Sequence, residues 1–167
     1  MADLALAAEA LRWMTGILNE RIIPFQITGG LAARSYGSTR PLDDIDIDVP
    51  SDTLKEIAEV TRQYVESGPV HFVDDDWDLL VLIVNYKGQY FDIEGIESEK
   101  VFDKQERQWV AVPGNLSTAQ MQEVLGTKVP VKDPRDMIHY KRILNRTING
   151  VPIDRNDAEA IERFLGN

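Results

Sequence analysis

Asp44, Asp46 and Asp48 alternate with Ile45, Ile47 and Val49. Residues two apart in an extended strand project from the same face, so Asp44 and Asp46 bring two carboxylates to one place. Two carboxylates together with substrate phosphates are the usual way a protein holds magnesium. Asp92, between Phe91 and Ile93 on another strand candidate, offers a third carboxylate. A set of this kind suits a two-metal site for displacement at phosphorus. Glu94 falls on the same strand face as Asp92 and reads as a supporting or an exposed residue. Upstream, Gly29-Gly30 ends an apolar stretch and opens a short helix. Glycines let a phosphate come close to the backbone, and the free N–H groups of a helix start point toward it.

Other chemistries fit less well. The chain has no cysteine, so disulfides and thiolate metal sites are excluded, and His71 and His139 lack zinc-type spacing. A metal here is held by oxygen, which favours magnesium, manganese or calcium. A calcium loop starting at Asp44 needs glycine at its sixth position and glutamate at its twelfth. Val49 and Lys55 stand there instead. The cluster from Asp74 to Asp78 fails the same test and reads as an exposed loop. Ala33-Arg34-Ser35-Tyr36-Gly37 approximates a hydrolase nucleophile elbow, but an elbow follows a strand directly and this segment reads as helix. Neither a Walker A sequence nor a dinucleotide fingerprint is present. The formal net charge of −10 argues against generic nucleic acid as a partner. Lys132, Arg135, Lys141, Arg142 and Arg146 read as a solvated helix face in preference to a local patch facing a phosphate. No apolar run is long enough for a bilayer, and the first residues lack the basic region of a signal peptide, so the expected location is the cytoplasm, with no membrane partner.

The elements that must position these groups follow from periodicity. The spacing predicts a helix over 3–20 with Asp3 as its cap, a short strand over 22–28, and a helix over 31–36 stopped by Gly37. Residues 44–49 form a half-buried strand, and Ser51 caps a helix over 52–66. After the break at Gly68-Pro69 come strands over 70–73 and 77–85, a hairpin turn at Lys87-Gly88, and a strand over 89–93. Residues 97–115 are mixed. A short helix is expected over 119–125, closed by Gly126. Asp133-Pro134 opens a helix to Asn145, and a last helix runs over 156–165. This organisation is one domain over 1–167, with a core over 1–115 and a C-terminal helical segment over 116–167.

The glycine pair, short helix and hydrophobic-Asp-hydrophobic-Asp strand over 27–49 resemble the signature of the polymerase-β-like nucleotidyltransferase superfamily. The resemblance is nearest to its minimal bacterial branch, with the aminoglycoside and lincosamide nucleotidyltransferases and small relatives. Thr39-Arg40 is similar to the Thr-Arg that precedes the aspartates in those enzymes, and Phe91-Asp92-Ile93 matches the third carboxylate. Residues 129–141 resemble the segment opening the C-terminal helix, and 157–165 the closing helix. The resemblance implies an α/β (α+β) fold, a mixed β-sheet flanked by helices with C-terminal helices, and two Mg2+ ions, with Mn2+ as a substitute. It implies transfer of a nucleoside monophosphate from a nucleoside triphosphate to a small-molecule or protein acceptor, with release of pyrophosphate. By position, Asp44 and Asp46 hold both metals, while Asp92 holds one and helps deprotonate the acceptor. Gly29, Gly30 and Arg40 belong to the nucleotide site. Many members have Gly-Ser where this chain has Gly29-Gly30, so that phosphate contact is either missing or supplied by Ser35 or Ser38. The chain lacks a large acceptor-binding domain, which leaves the acceptor open, and a homo-oligomer is compatible with the sequence. The alternative is the same fold without catalysis, binding nucleotide or a partner protein in a toxin–antitoxin or phage-defence module.

Overall fold

The computed structural model describes residues 3–166. Its helices are α1 (Leu4–Glu20), α2 (Gly29–Ser35), α3 (Leu54–Val60), α4 (Pro134–Leu144) and α5 (Ile153–Phe164). Its strands are β1 (Gln26–Thr28), β2 (Ile45–Val49), β3 (Val65–Val73), β4 (Trp77–Tyr86), β5 (Gln89–Gly95), β6 (Lys100–Asp103), β7 (Gln108–Ala111), β8 (Gln120–Val124) and β9 (Thr127–Val131). The strands form one mixed sheet in the order β7-β6-β4-β5-β2-β1-β9-β8, with β3 pairing β4 at an edge. The pairs β2–β5 and β1–β9 are parallel, and the others are antiparallel. This is the mixed sheet flanked by helices that the resemblance implies.

Local chemistry sets the ends of the elements. Asp3 caps α1, its carboxylate accepting from the N–H groups of Ala5 and Leu6. Asp133 caps α4 by accepting from Arg135 N–H at 2.8 Å, with Pro134 at the first helical position. Lys87 and Gly88, both with positive φ, make the tight turn joining β4 to β5.

Several expectations are corrected. Residues 119–125 do not form a helix: 120–124 are β8, and Leu125-Gly126 turns the chain into β9. Leu125 and Gly126 also both have positive φ, so Gly126 serves a hairpin and not a helix end. The exposed Met121 and Glu123 alternate with more buried neighbours, a period of two. Through β9, this hairpin extends the sheet, so residues 116–167 are not helical throughout. The helix expected over 52–66 also stops early, because Val65 already pairs with Val84 as the start of β3. Gly68-Pro69 lies inside β3 at an irregular register, and an edge strand is where a proline without an N–H is tolerated. The mixed stretch over 97–115 contributes β6 and β7.

The two faces of the sheet differ. On one, Ile45, Ile47, Val49, Phe91, Ile93, Leu82 and Val84 pack with Ala7, Ala10, Leu11, Met14 and Leu18 of α1, all fully buried. Trp13 stacks on Tyr86 with centroids 4.4 Å apart, closing this core at one side. On the other face, α4 and α5 leave a cleft beside Asp46 and Asp92. Among the described residues, no helix is long and apolar enough to cross a membrane.

Met14 fills the α1 side of the core without touching the cleft. Met14→Ala is expected to cost about 2–5 kcal/mol in urea unfolding, the range for a buried methionine. A loss below about 1 kcal/mol would mean that α1 packs loosely.

Candidate functional site

The register of three strands builds the site. Thr28 of β1 faces Asp46 of β2, and Asp46 faces Asp92 of the parallel β5. One carboxylate oxygen each of Asp46, Asp92 and Glu94 lies within 4.8 Å of the others. Asp44, just before β2, lines the same cleft but stands outside this tight trio. The cleft is about 320 Å³ in volume, with the acids on β2 and β5 and an apolar wall of Leu79, Val81 and Ile83 from β4.

Gly29 is required by the carboxylate as much as by any ligand. Its φ is +59°, and a Cβ there would fall 2.0 Å from Asp46 Oδ2. At Gly30 a Cβ would meet Arg40 Nη2 at 3.0 Å. The two glycines thus let the start of α2 lie directly against one anionic and one cationic side chain.

Crowding raises the affinity of these acids for protons. Burial, then the charge of Asp92, pushes Asp46 up to about 8, against an opposing pull from Lys141. Burial, then Asp44 and Asp43, pushes Asp92 up to about 6. Glu94 is raised well above the usual range by burial and then by Asp46. Asp44 is raised by burial and by Asp43.

The opposite wall is basic. Lys141, almost fully buried, lies 3.1 Å from Asp157 and 3.3 Å from Asp154. Arg40 donates through Nη2 to Asp157 at 2.9 Å. Arg146 donates through Nε and Nη2 to Asp154 at 2.9 and 3.0 Å, with its guanidinium over the Trp77 ring at 6.0 Å. Burial alone would raise Asp154, but the hydrogen bonds from Arg146 and the charge of Lys141 outweigh it and hold the carboxyl below its ordinary range. Three cations on two fully buried aspartates leave one surplus positive charge facing the acids.

Of the residues predicted for the site, Gly29, Gly30, Arg40, Asp44, Asp46 and Asp92 line the cleft. Ser35 and Ser38 do not. Ser35 Oγ donates to the Ala32 carbonyl at 2.7 Å, and Ser38 Oγ donates to Asp157 at 2.7 Å, on the far side of Arg40. The reading of the basic residues as a solvated face is also corrected. Lys132 and Lys141 are buried and Arg146 lines the cleft, whereas Arg142 pairs with Glu162 at the surface. The overlooked signal is helical spacing. Lys141 follows Met137 and precedes Leu144 on the buried stripe of α4, and Asp154 and Asp157 share that of α5 with Ala158 and Ile161. A charge on an apolar stripe calls for a partner.

Asp46, Asp92 and Glu94 present hard oxygen donors, and a cation among them would relieve the repulsion that raises their proton affinity. The residues therefore fit a divalent ion.

No family model matches the chain, and no curated protein matches it in sequence. Solved structures do. A nucleotidyltransferase candidate from Thermotoga maritima is 17% identical, with a TM-score of 0.66, over 95% of this chain and 91% of that one. The lincosamide antibiotic adenylyltransferase LnuA, lincomycin-bound, is 12% identical with a TM-score of 0.61, over 93% and 96%. The antibiotic-resistance factor ANT(2'')-Ia, in complex with adenylyl-2''-tobramycin, is 15% identical with a TM-score of 0.57, over 96% and 95%. At these identities the likeness establishes the fold, and the chain has the nucleotidyltransferase fold.

The proton affinity of Asp46 sets a pH dependence. A carboxyl raised in the folded state adds stability that is full below its ordinary pKa near 3.8 and is lost as pH rises through about 8. In chelator, the melting temperature should fall between those limits, and Asp46→Asn should flatten the fall and melt higher than wild type above pH 8. Parallel profiles for the two proteins would show that Asp46 is not crowded.

Proposed function

We propose that this protein transfers a nucleoside monophosphate from a nucleoside triphosphate to a small-molecule or protein acceptor, with pyrophosphate as the other product. The reading rests foremost on one observation: Asp46 and Asp92 are opposed on β2 and β5, with Asp44 in the same cleft and Lys141 and Arg40 across from them. LnuA and ANT(2'')-Ia, the one bound to lincomycin and the other to adenylyl-2''-tobramycin, support a small-molecule acceptor. The net charge of −10 speaks against a polyanionic one.

Asp44, Asp46 and Asp92 would hold two magnesium ions, with manganese able to substitute, which supply charge neutralisation at the phosphates. The backbone at Gly29 and Gly30 lines the triphosphate. Arg40 and Lys141, already fixed by Asp157, face it with positive charge and need no rearrangement to do so. The acceptor oxygen bonds to the α-phosphorus as the bond from that phosphorus to the β-bridging oxygen breaks, and pyrophosphate leaves. Asp92, raised to about 6, is ionised at neutral pH yet basic enough to take the acceptor proton.

Labelled triphosphates offered with magnesium and candidate acceptors, including cell extract, should give a labelled product and pyrophosphate. Asp92→Asn should lose a factor of about 100 or more in rate, the size expected for a general base, while still binding triphosphate with magnesium. Asp46→Asn should lose both. Wild-type turnover in Asp92→Asn would sink the mechanism. Binding of triphosphate by the wild type, with no transfer to any acceptor, would favour the non-catalytic reading.

A further inference from the structure

A second set of oxygens converges one row deeper than Asp46 and Asp92. Gln26, Asp48 and Glu94 are in register across β1, β2 and β5. Glu99, just after the turn that follows β5, joins them. One carboxylate oxygen each of Asp48, Glu94 and Glu99 lies within 4.8 Å of the others. Gln26 and Asp48 are 0% exposed and Glu99 is 5% exposed.

The charges there do not balance within the protein. The basic partner is Lys132, whose Nζ is 3.9 Å from Asp48 Oδ2, beyond hydrogen-bond range. Gln26 Nε2 donates to that same oxygen at 2.8 Å. Among the described residues, three buried oxygens here have no donor: Asp48 Oδ1, Glu99 Oε1 and Gln26 Oε1. The last is independent of the acidic residues. It is an amide carbonyl on a group anchored to Asp48 through its nitrogen, so this neutral acceptor lies beside Asp48. Buried acceptors are nearly always satisfied, and hydrogen-bond donors are what this pocket lacks. Three carboxylates and an amide oxygen are the donor set of a hard cation. Glu94 and Glu99 also line the cleft, which gives an ion a way in.

We propose that Asp48, Glu94, Glu99 and the Gln26 carbonyl form an inner divalent-cation site, additional to the one at Asp44, Asp46 and Asp92. Glu94 belongs to both groups of converging oxygens. An ion held there cancels negative charge behind Asp46 and ties β1, β2 and β5 to the turn that carries Glu99. Its occupancy requires neither nucleotide nor acceptor.

The test is a Mn2+ titration of the whole chain without nucleotide, with free ion read by electron paramagnetic resonance and melting temperature followed alongside. Wild type should bind Mn2+ and melt higher with it. The double variant D44N/D92N, which leaves the inner residues intact, should keep both responses. Glu99→Gln and Asp48→Asn should each weaken this binding by roughly tenfold or more, at least the effect of losing an outer partner of a metal ligand. Unchanged Mn2+ binding in Glu99→Gln would overturn the proposal. So would a D44N/D92N protein that binds no Mn2+, an outcome that holds even if Glu99→Gln fails to fold. A wild type indifferent to Mn2+, with Glu99→Gln melting higher than wild type, would mean that the acids share protons instead. Because nucleotide is absent throughout, a failure here leaves the transferase reading untouched, and the reverse also holds.

Discussion

Two carboxylates opposed across a parallel strand pair repel each other unless positive charge stands close by, and the rest of this structure is arranged around that repulsion at Asp46 and Asp92. β2 and β5 are kept together by their apolar face, where Ile45, Ile47, Phe91 and Ile93 are fully buried. The opposing face is stabilised from outside the sheet. Lys141 reaches toward Asp46 from α4 and is itself steadied by Asp154 and Asp157 of α5. Hydrophobic burial thus holds the acids in place, and ionic contacts between helices make their positions tolerable.

The counter-charges are not free to satisfy the acids outright. Arg40, Lys141 and Arg146 are each bonded to an aspartate of α5, so their charge is partly spent before it reaches the cleft. This leaves Asp46 with a raised proton affinity in spite of Lys141. A site balanced so is well suited to exchange a proton for a harder cation. The same aspartates fix the geometry of the basic wall, so its cations are ordered without any bound anion.

Much of this was legible in the sequence where one local rule governs. The alternation over 44–49 gives a strand with Asp44 and Asp46 on one face, and the capping residues Asp3 and Asp133 mark helix starts that the structure keeps. Asp92 stands out as a third carboxylate on a strand candidate and matches a family motif, but its register against Asp46 is not readable from either strand alone. The misses share a cause. Gly126 and Lys87-Gly88 use the same positive φ, but only the second is flanked by strongly apolar strands, so the pattern over β8 points to a helix. Lys141, Asp154 and Asp157 look like surface charges until the helices that carry them are brought together, because a buried ion pair is a property of two elements at once. Alternation puts Asp48 on the face of Asp44 and Asp46, but its full burial depends on β1 and β5 on its two sides and on Lys132 from beyond β9.

The order of the two walls along the chain has a consequence for synthesis. Every acid of the cleft lies before residue 100, and Lys141, Arg146 and both anchoring aspartates come after 140. At about 5–20 residues per second, a ribosome makes the acidic strands some seconds before the lysine that faces them. During that interval the apolar partners of β2 and β5 on α1 are already made, but Lys141 and Arg146 are not. Arg40 is then the one cation of that wall already made, and protons or ambient metal ions must supply the rest, so the nascent sheet pairs most readily where one of them is plentiful.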